Sequence, residues 1–204
     1  MPASLFGIIL AVTVVATAVL GFSSFSVYVL GAENPTTMMW GWKTYASIER
    51  GFSVKHPEDF SVDQEYAYKG LGKNRTIRGV SFVPNETYTA GTNLSSLTKL
   101  SVETVPNVTS CAPDKFLYKP QARQSLTEEG KKYDFAMERE VKRGVVREER
   151  VYTLSDSSPC VAVRYTVYSA LIQVDDPAAV KPFDEQKLLQ TFDTLRHSLS
   201  LMNK

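Results

Sequence analysis

Histidine and cysteine are scarce in this chain of 204 residues, with two of each. The histidines are His56 and His197, and the two cysteines, Cys111 and Cys160, do not form a Cys-x-x-Cys pair. A zinc or haem site needs several such ligands at short spacing, so we expect no metal or other cofactor. Nucleophilic catalysis needs a Ser or Cys beside a base, and neither histidine has a motif such as Gly-x-Ser-x-Gly nearby. The sequence therefore predicts a protein that is not an enzyme.

The chain also lacks an excess of charge of either sign. Lys and Arg number 23 and Asp and Glu number 22, so the formal net charge is +1. Proteins that bind nucleic acid usually carry a strong positive field. The charge balance therefore argues against a nucleic-acid partner.

Residues 1–32 contain no Asp, Glu, Lys, Arg or His, and residues 5–20 are almost continuously aliphatic. An uncharged run of about 20 residues is long enough to span the roughly 30 Å hydrocarbon core of a bilayer. Such a segment is either a cleaved signal peptide or a retained signal anchor, and its length and lack of a basic start favour retention. We therefore predict membrane contact through residues 5–30, a juxtamembrane linker at 33–50 and a folded domain at 51–204.

Cys111 and Cys160 are most simply explained as one disulfide bond. Closing a loop of about 49 residues stabilises a fold by on the order of 4 kcal/mol in the chain-entropy model. Such a bond persists outside the reducing cytosol, which agrees with an export segment at the N-terminus. We therefore expect a membrane-anchored domain outside the cytoplasm, or a secreted one if the leader is cleaved. Two free thiols in a cytosolic domain are the alternative.

Alternation of apolar and polar residues predicts a β-meander between Tyr133 and Tyr168. Its first strand contains Tyr133, Phe135 and Met137, its turn is Lys142-Arg143-Gly144, and its later strands are Val145 to Leu154 and Cys160 to Tyr168. Earlier strands are predicted at residues 51–57, 77–83 and 99–105, and a turn or short helix at 121–130.

A helix is predicted after Asp184, which can serve as its N-cap. Apolar residues then recur at helical spacing: Leu188, Leu189, Phe192, Leu195 and Leu199. Polar residues occupy the rest of this segment, as expected for a helix that covers a sheet. We therefore predict an α+β fold, with an antiparallel β-sheet packed against a C-terminal helix and preceded by an N-terminal transmembrane or signal helix.

The most charged stretch runs from Arg139 to Arg150. Its signs interleave, so cross-strand ion pairs on a solvent face are the ordinary interpretation. The alternative is a docking surface for a protein partner, with Lys142, Arg143 and Arg147 as its candidate residues. Neighbouring residues of a strand point to opposite faces, so the adjacent pair Glu148 and Glu149 is expected at a solvated edge and not as paired catalytic acids.

Short motifs at both ends of the domain resemble PsbP-like domains. They are Gly51 to Pro57 followed by Phe60, and Phe183-Asp184 followed by Leu188-Leu189 and Phe192. The stretch from Gly130 to Tyr168 with Cys160, after Thr92 to Ser95 and Cys111, resembles uncharacterised secreted or lipid-anchored bacterial proteins. The resemblance implies an antiparallel sheet with flanking helices and an accessory or binding role, and it transfers no catalytic residue. The export segment has no cysteine, so it offers no lipoprotein-type anchor.

These observations predict a non-enzymatic, membrane-anchored accessory module that binds a protein partner outside the cytoplasm. A structural subunit of a membrane complex is one alternative, because small residues within 5–30 allow helices to approach closely. A small envelope hydrolase with His56 as its base is the other.

Overall fold

The computed structural model describes residues 41–172 and 180–202. The predicted membrane segment at 5–30 and residues 33–40 of the predicted linker lie outside the described residues. Among the helices of the described ranges, none has the combination of length and hydropathy that a bilayer span requires.

Strands make up most of the regular structure of the described residues. The eleven strands are β1 (Trp42–Ser47), β2 (Phe52–Pro57), β3 (Ser61–Asp63), β4 (Ala67–Tyr68), β5 (Ile77–Val83), β6 (Lys99–Val105), β7 (Gln121–Glu128), β8 (Lys131–Lys142), β9 (Val145–Leu154), β10 (Cys160–Ala170) and β11 (Ser200–Leu201). The helices are α1 (Glu86–Thr89) and α2 (Glu185–His197), and Pro113–Lys115 forms a 3-10 turn.

These strands form two antiparallel sheets. The small sheet has the order β1-β2-β11, with Trp42 paired to Pro57, and both Ser47 and Leu201 paired to Phe52. The large sheet has the order β3-β5-β6-β10-β9-β8-β7, and β4 pairs with β5 at its side. The predicted meander is present as β8, β9 and β10 at the centre of this sheet.

The predicted α+β class is wrong, because the described chain is predominantly β, with two sheets and one helix longer than a single turn. The predicted N-terminal helix lies outside the described residues. Gln121–Glu128, predicted as a turn or short helix, is the edge strand β7. Trp42–Ser47, within the predicted linker, is the edge strand β1. β7 is largely exposed, and the half-buried residues of β1 do not alternate regularly, so neither strand shows the apolar alternation that identifies a half-buried strand.

One face of the large sheet packs against α2 and the small sheet, in what we call the helix-side core. Its β10 residues alternate along the strand and are Val161, Val163, Tyr165 and Val167; α2 contributes Leu188, Phe192 and Leu195, and β2 contributes Phe52 and Val54. As predicted, Asp184 caps the helix: its Oδ1 accepts a hydrogen bond from the backbone N–H of Lys187 at 2.9 Å.

The opposite face is covered by two segments, residues 64–76, which include the two-residue strand β4, and residues 106–118, which are irregular, and we call its interior the loop-side core. Tyr68, Leu71, Ile77, Phe116 and Leu117 pack there against Ala136, Val151, Cys160 and Ala162. Cys111 and Cys160 are joined by a disulfide bond with an S–S distance of 2.07 Å. This bond attaches the second segment to the start of β10.

Candidate functional site

A buried arginine lies at the centre of the loop-side face. The alternation of β10 that directs Val163 and Tyr165 to the helix side directs Arg164 to the loop side, where its side chain is 0% exposed. Its Nε and Nη2 each lie 2.9 Å from a carboxylate oxygen of Glu103 on β6, which is bidentate pairing. The guanidinium thus links two neighbouring strands of the large sheet.

Arg164 also contacts a carboxylate on β9 and one residue from each of the two covering segments. Its Nη1 lies 3.2 Å from Glu149 Oε2 on β9, and its Nη2 donates to the Phe116 carbonyl at 2.7 Å. The ring of Tyr68 stacks on the guanidinium, with 3.6 Å between Cζ and the ring centroid, and the Tyr68 hydroxyl donates to Glu149 Oε2 at 2.8 Å. Both covering segments are therefore anchored on this one side chain.

The charges of this cluster are compensated at close range. Burial alone would lower the pKa of Arg164, but the carboxylates of Glu103 and Glu149 raise that pKa above its usual value. Glu103 Oε1 also accepts a hydrogen bond from Ser101 Oγ at 2.8 Å. Arg147 Nη1 lies 3.9 Å from Glu149 Oε1 and supplies a second positive charge at the edge of the cluster. Both buried carboxylates thus have cationic partners.

A pocket of about 230 Å³ opens beside this cluster. The residues that line it are Tyr66, Ala67, Tyr68, Lys69, Gly70, Leu97, Lys99, Arg147, Glu149, Thr166 and Tyr168. Thr166 is paired directly with Lys99 of β6 on one side and with Glu149 of β9 on the other. Burial raises the pKa of both Tyr66 and Tyr68, so these two pocket-lining side chains are uncharged at neutral pH.

The predicted surface residues Lys142 and Arg143 lie at the turn between β8 and β9. Arg143 and Gly144 have φ values of 53° and 77°, as a two-residue hairpin turn requires. Both basic side chains are exposed, and neither forms an ion pair with another described residue. Three exposed aliphatic residues surround them, namely Val141, Val145 and Leu171, which are 51%, 42% and 52% exposed. We call these three, with Lys142 and Arg143, the hairpin tip.

Arg147, the third predicted surface residue, lies elsewhere. Its Nη2 is 3.3 Å from Glu138 Oε1 and 3.4 Å from Glu140 Oε2, and its side chain is 23% exposed. It thus forms cross-strand ion pairs and lines the pocket. The expectation that Glu149 lies at a solvated edge is wrong: Glu149 is buried under Tyr68, because the covering segment 64–76 packs over β9.

A second buried arginine, Arg196, fastens the end of α2 to the large sheet. Its guanidinium stacks on Tyr152 at 4.2 Å, its Nε donates to the Tyr165 hydroxyl at 2.9 Å, and its Nη2 pairs with Glu128 at 2.6 Å. His197 Nε2 lies 2.9 Å from the same Glu128 carboxylate. Burial raises the pKa of Tyr152 to about 12. This cluster holds the C-terminal end of α2 against the large sheet.

His56 is a core residue. It is 6% exposed, its ring packs on Phe82 at 5.1 Å between centroids, and its Nδ1 lies 2.8 Å from the Pro57 carbonyl. A carbonyl can only accept, so Nδ1 carries the proton. Across residues 41–172 and 180–202, no three His, Cys, Asp or Glu side chains are grouped as a metal ion would need.

Sequence reasoning missed Arg164, Glu103, Glu149 and Thr166 as members of one site. A signal was present: Arg164 is a lone charge within the apolar run of β10, and a charge in a buried strand needs a partner. The partner could not be named from the sequence, because Glu103 lies 61 residues earlier in the chain.

Similarity to known proteins is found among solved structures. No protein-family model matches the sequence, and the search of curated proteins finds no match. Among solved structures, the chain is similar to cyanobacterial PsbP from Synechocystis sp. PCC 6803, with a TM-score of 0.47 and 12% sequence identity. The similarity covers 84% of this chain and 95% of the PsbP chain. No sequence match accompanies this structural similarity.

Proposed function

We propose that this chain is a non-enzymatic accessory module that acts outside the cytoplasm and binds a partner protein through the hairpin tip. In this proposal, residues 5–30 anchor the module in the membrane. The observation that carries the proposal is the composition of the tip: Lys142 and Arg143 without ion pairs among the described residues, beside Val141, Val145 and Leu171 exposed by 42–52%.

The disulfide bond supports the proposed location. A bond between Cys111 and Cys160 persists in an oxidising compartment and is rare in the cytosol. The charge-free stretch at residues 1–32 supplies a segment suited to export or anchoring. Both features favour a module that faces away from the cytoplasm.

The tip is suited to docking because it projects from a rigid support. The β8–β9 hairpin is paired without a register shift from Tyr133 with Leu154 to Lys142 with Val145. A preordered surface loses little conformational entropy when a partner binds. Exposed aliphatic groups, beside cations that have no ion pair within the described ranges, fit a partner surface that is apolar with an acidic rim.

Partner recovery from detergent-solubilised native membranes tests the proposal. The tip variant carries Lys142→Glu and Arg143→Glu, which reverse two exposed charges without touching a described ion pair. The matched control is Lys132→Glu, which reverses an exposed charge at the other end of β8. We expect a defined partner with the wild type and the control, and at least about tenfold less with the tip variant, because repulsion across an interface costs more than 1.4 kcal/mol.

Equal recovery of the same partner by the tip variant would contradict the proposal. Circular dichroism of all three proteins shows whether a loss reflects unfolding. Arg147 is unsuitable for this test, because its reversal would place a second acid next to Glu149 and disturb the buried cluster.

A further inference from the structure

The asparagines of this sequence share one neighbour type. There are six of them, and Asn203 is the penultimate residue. Each of the other five is followed at the second position by Ser or Thr, in the triplets that begin at Asn34, Asn74, Asn85, Asn93 and Asn107. Ser and Thr make up 36 of the 204 residues, so their abundance predicts about one such triplet among five asparagines. The abundance of these residues therefore does not account for the pattern.

The triplet Asn-x-Ser/Thr is the acceptor for N-linked glycosylation when its middle residue is not Pro. Pro35 excludes the first triplet, and four remain. The reaction modifies chains that are exported, and both the disulfide bond and the charge-free residues 1–32 favour export. Modification of these asparagines therefore depends on the extracytoplasmic location proposed above.

Asn74 and Asn107 present free side chains to solvent. Both residues are exposed, and their φ values of 68° and 55° are in the left-handed region, which asparagine tolerates better than most residues. Neither side chain forms a hydrogen bond with another described residue. The threonines of the two triplets, Thr76 and Thr109, are exposed as well. A glycan on either asparagine thus needs no change in the fold.

The other two asparagines stabilise the fold through their side chains. Asn85 is the N-cap of α1, and its Nδ2 donates to Asp59 Oδ2 at 2.6 Å. Asn93 Nδ2 donates to the Ala170 carbonyl at 2.8 Å, and Asn93 Oδ1 accepts from the backbone N–H of Phe183 at 2.9 Å. Both side chains are half-buried. A glycan on either Nδ2 would compete with these hydrogen bonds, so the fold explains both residues without a modification.

We propose that Asn74 and Asn107 carry N-linked glycans. The donor is an oligosaccharide attached to a lipid phosphate. The asparagine Nδ2 forms a bond with C1 of the first sugar, the bond between C1 and the phosphate oxygen breaks, and the proton lost from Nδ2 passes to the released lipid phosphate. Asn74 lies in the covering segment 64–76 and Asn107 in segment 106–118, so both glycans are attached to the cover of the loop side and neither to the hairpin tip.

Mass spectrometry of the chain purified from its native source tests the proposal. The intact mass should exceed the polypeptide mass by two glycans, and proteolytic peptides should carry them at Asn74 and Asn107. Asn74→Asp and Asn107→Asp should each remove one glycan while keeping a residue that tolerates positive φ. Thr76→Ala should abolish the glycan at Asn74, and Thr76→Ser should retain it, because the acceptor triplet requires a hydroxyl at that position.

The matched control is Thr127→Ala, which removes an exposed hydroxyl outside any triplet and should leave both glycans in place. Absence of the glycan from Asn74 or Asn107 overturns the proposal for that residue, and so does a glycan at Asn74 that persists in Thr76→Ala. A glycan at Asn85 or Asn93 overturns the selection by hydrogen bonding.

Titration of thiols in the same sample separates failure of this proposal from failure of the proposed location. A chain without glycans but with an intact disulfide bond overturns glycosylation alone. A chain without glycans and with two free thiols overturns the extracytoplasmic location as well.

Discussion

The two faces of the large sheet are closed in different ways. On the helix side, α2 and the small sheet bury a continuous set of aliphatic and aromatic residues. On the loop side, segments 64–76 and 106–118 bury Tyr68, Leu71, Phe116 and Leu117, and they are also fixed by contacts with Arg164 and by the disulfide bond. The pocket lies on the loop side.

The difference reflects how a helix and an irregular segment satisfy their backbone hydrogen-bonding groups when they pack on a sheet. A helix satisfies its own backbone groups, so α2 can stabilise the sheet by apolar burial alone along most of its length. An irregular segment leaves backbone carbonyls such as that of Phe116 unpaired, and a buried donor must satisfy them. Arg164 performs that task for one segment while Tyr68 of the other stacks on it.

The largest expected effect comes from removing the charge that balances Arg164. Glu103→Gln leaves a fully buried guanidinium without its bidentate partner, and we expect a loss of about 3–5 kcal/mol in the free energy of unfolding. Urea denaturation of the wild type and of Glu103→Gln measures this loss in the free energy of unfolding.

The matched control for that substitution is Glu58→Gln. Glu58 pairs with Lys43 at 2.8 Å, but the two side chains are 62% and 58% exposed, so water and salt screen the pair and the loss should be far smaller than that of Glu103→Gln. Equal losses in both variants would show that the loop side does not depend on its buried charges.

The second prediction concerns the disulfide bond, which belongs to the loop side alone. Replacing Cys111 and Cys160 by Ala should lower the free energy of unfolding by about 2–4 kcal/mol, since the bond closes a loop of 49 residues. Hydrogen exchange should accelerate in residues 106–118 more than in α2. Uniform acceleration across both faces would show that the disulfide bond does not stabilise the loop side in particular.

The smallest effect is expected at Glu128 on the helix side. Burial acts to raise the pKa of Glu128, but hydrogen bonds from His197 and Arg196 outweigh it and hold that pKa below the ordinary 4.5. A carboxyl group whose pKa is lower in the folded state stabilises the fold at pH values above its unfolded-state pKa. That stabilisation is lost as the pH falls through the folded-state pKa.

The stability difference between the wild type and Glu128→Gln should therefore be constant near neutral pH and shrink below about pH 4.5. It should stay below about 1 kcal/mol, because Glu128 is partly exposed. Urea denaturation at a series of pH values measures the difference. A difference that grows in acid would contradict the assigned direction.

The parts of the fold that sequence analysis predicted are those with a periodic apolar face. The meander strands and α2 alternate or repeat clearly, and each is present in the structure. The edge strands β1 and β7 have no such regular face, and backbone pairing with one neighbour fixes them.

The site was less predictable than the fold. Its charged members pair across strands that are distant in sequence, and each alone resembles an ordinary surface residue. Thr166 is identified only by its position between Lys99 and Glu149, which requires the register of the sheet. Sequence patterns thus indicate which residues are buried, whereas the pairing of buried polar groups depends on the tertiary arrangement.

The order β1-β2-β11 has a mechanical consequence. The first and last strands of the described chain flank the same strand, and Trp42 and Leu201 pair with its opposite ends. Tension applied between these two residues runs along the strands and perpendicular to their hydrogen bonds, which are then loaded together in shear. The small sheet would bear the force first, and the large sheet with its pocket would be shielded from stretching.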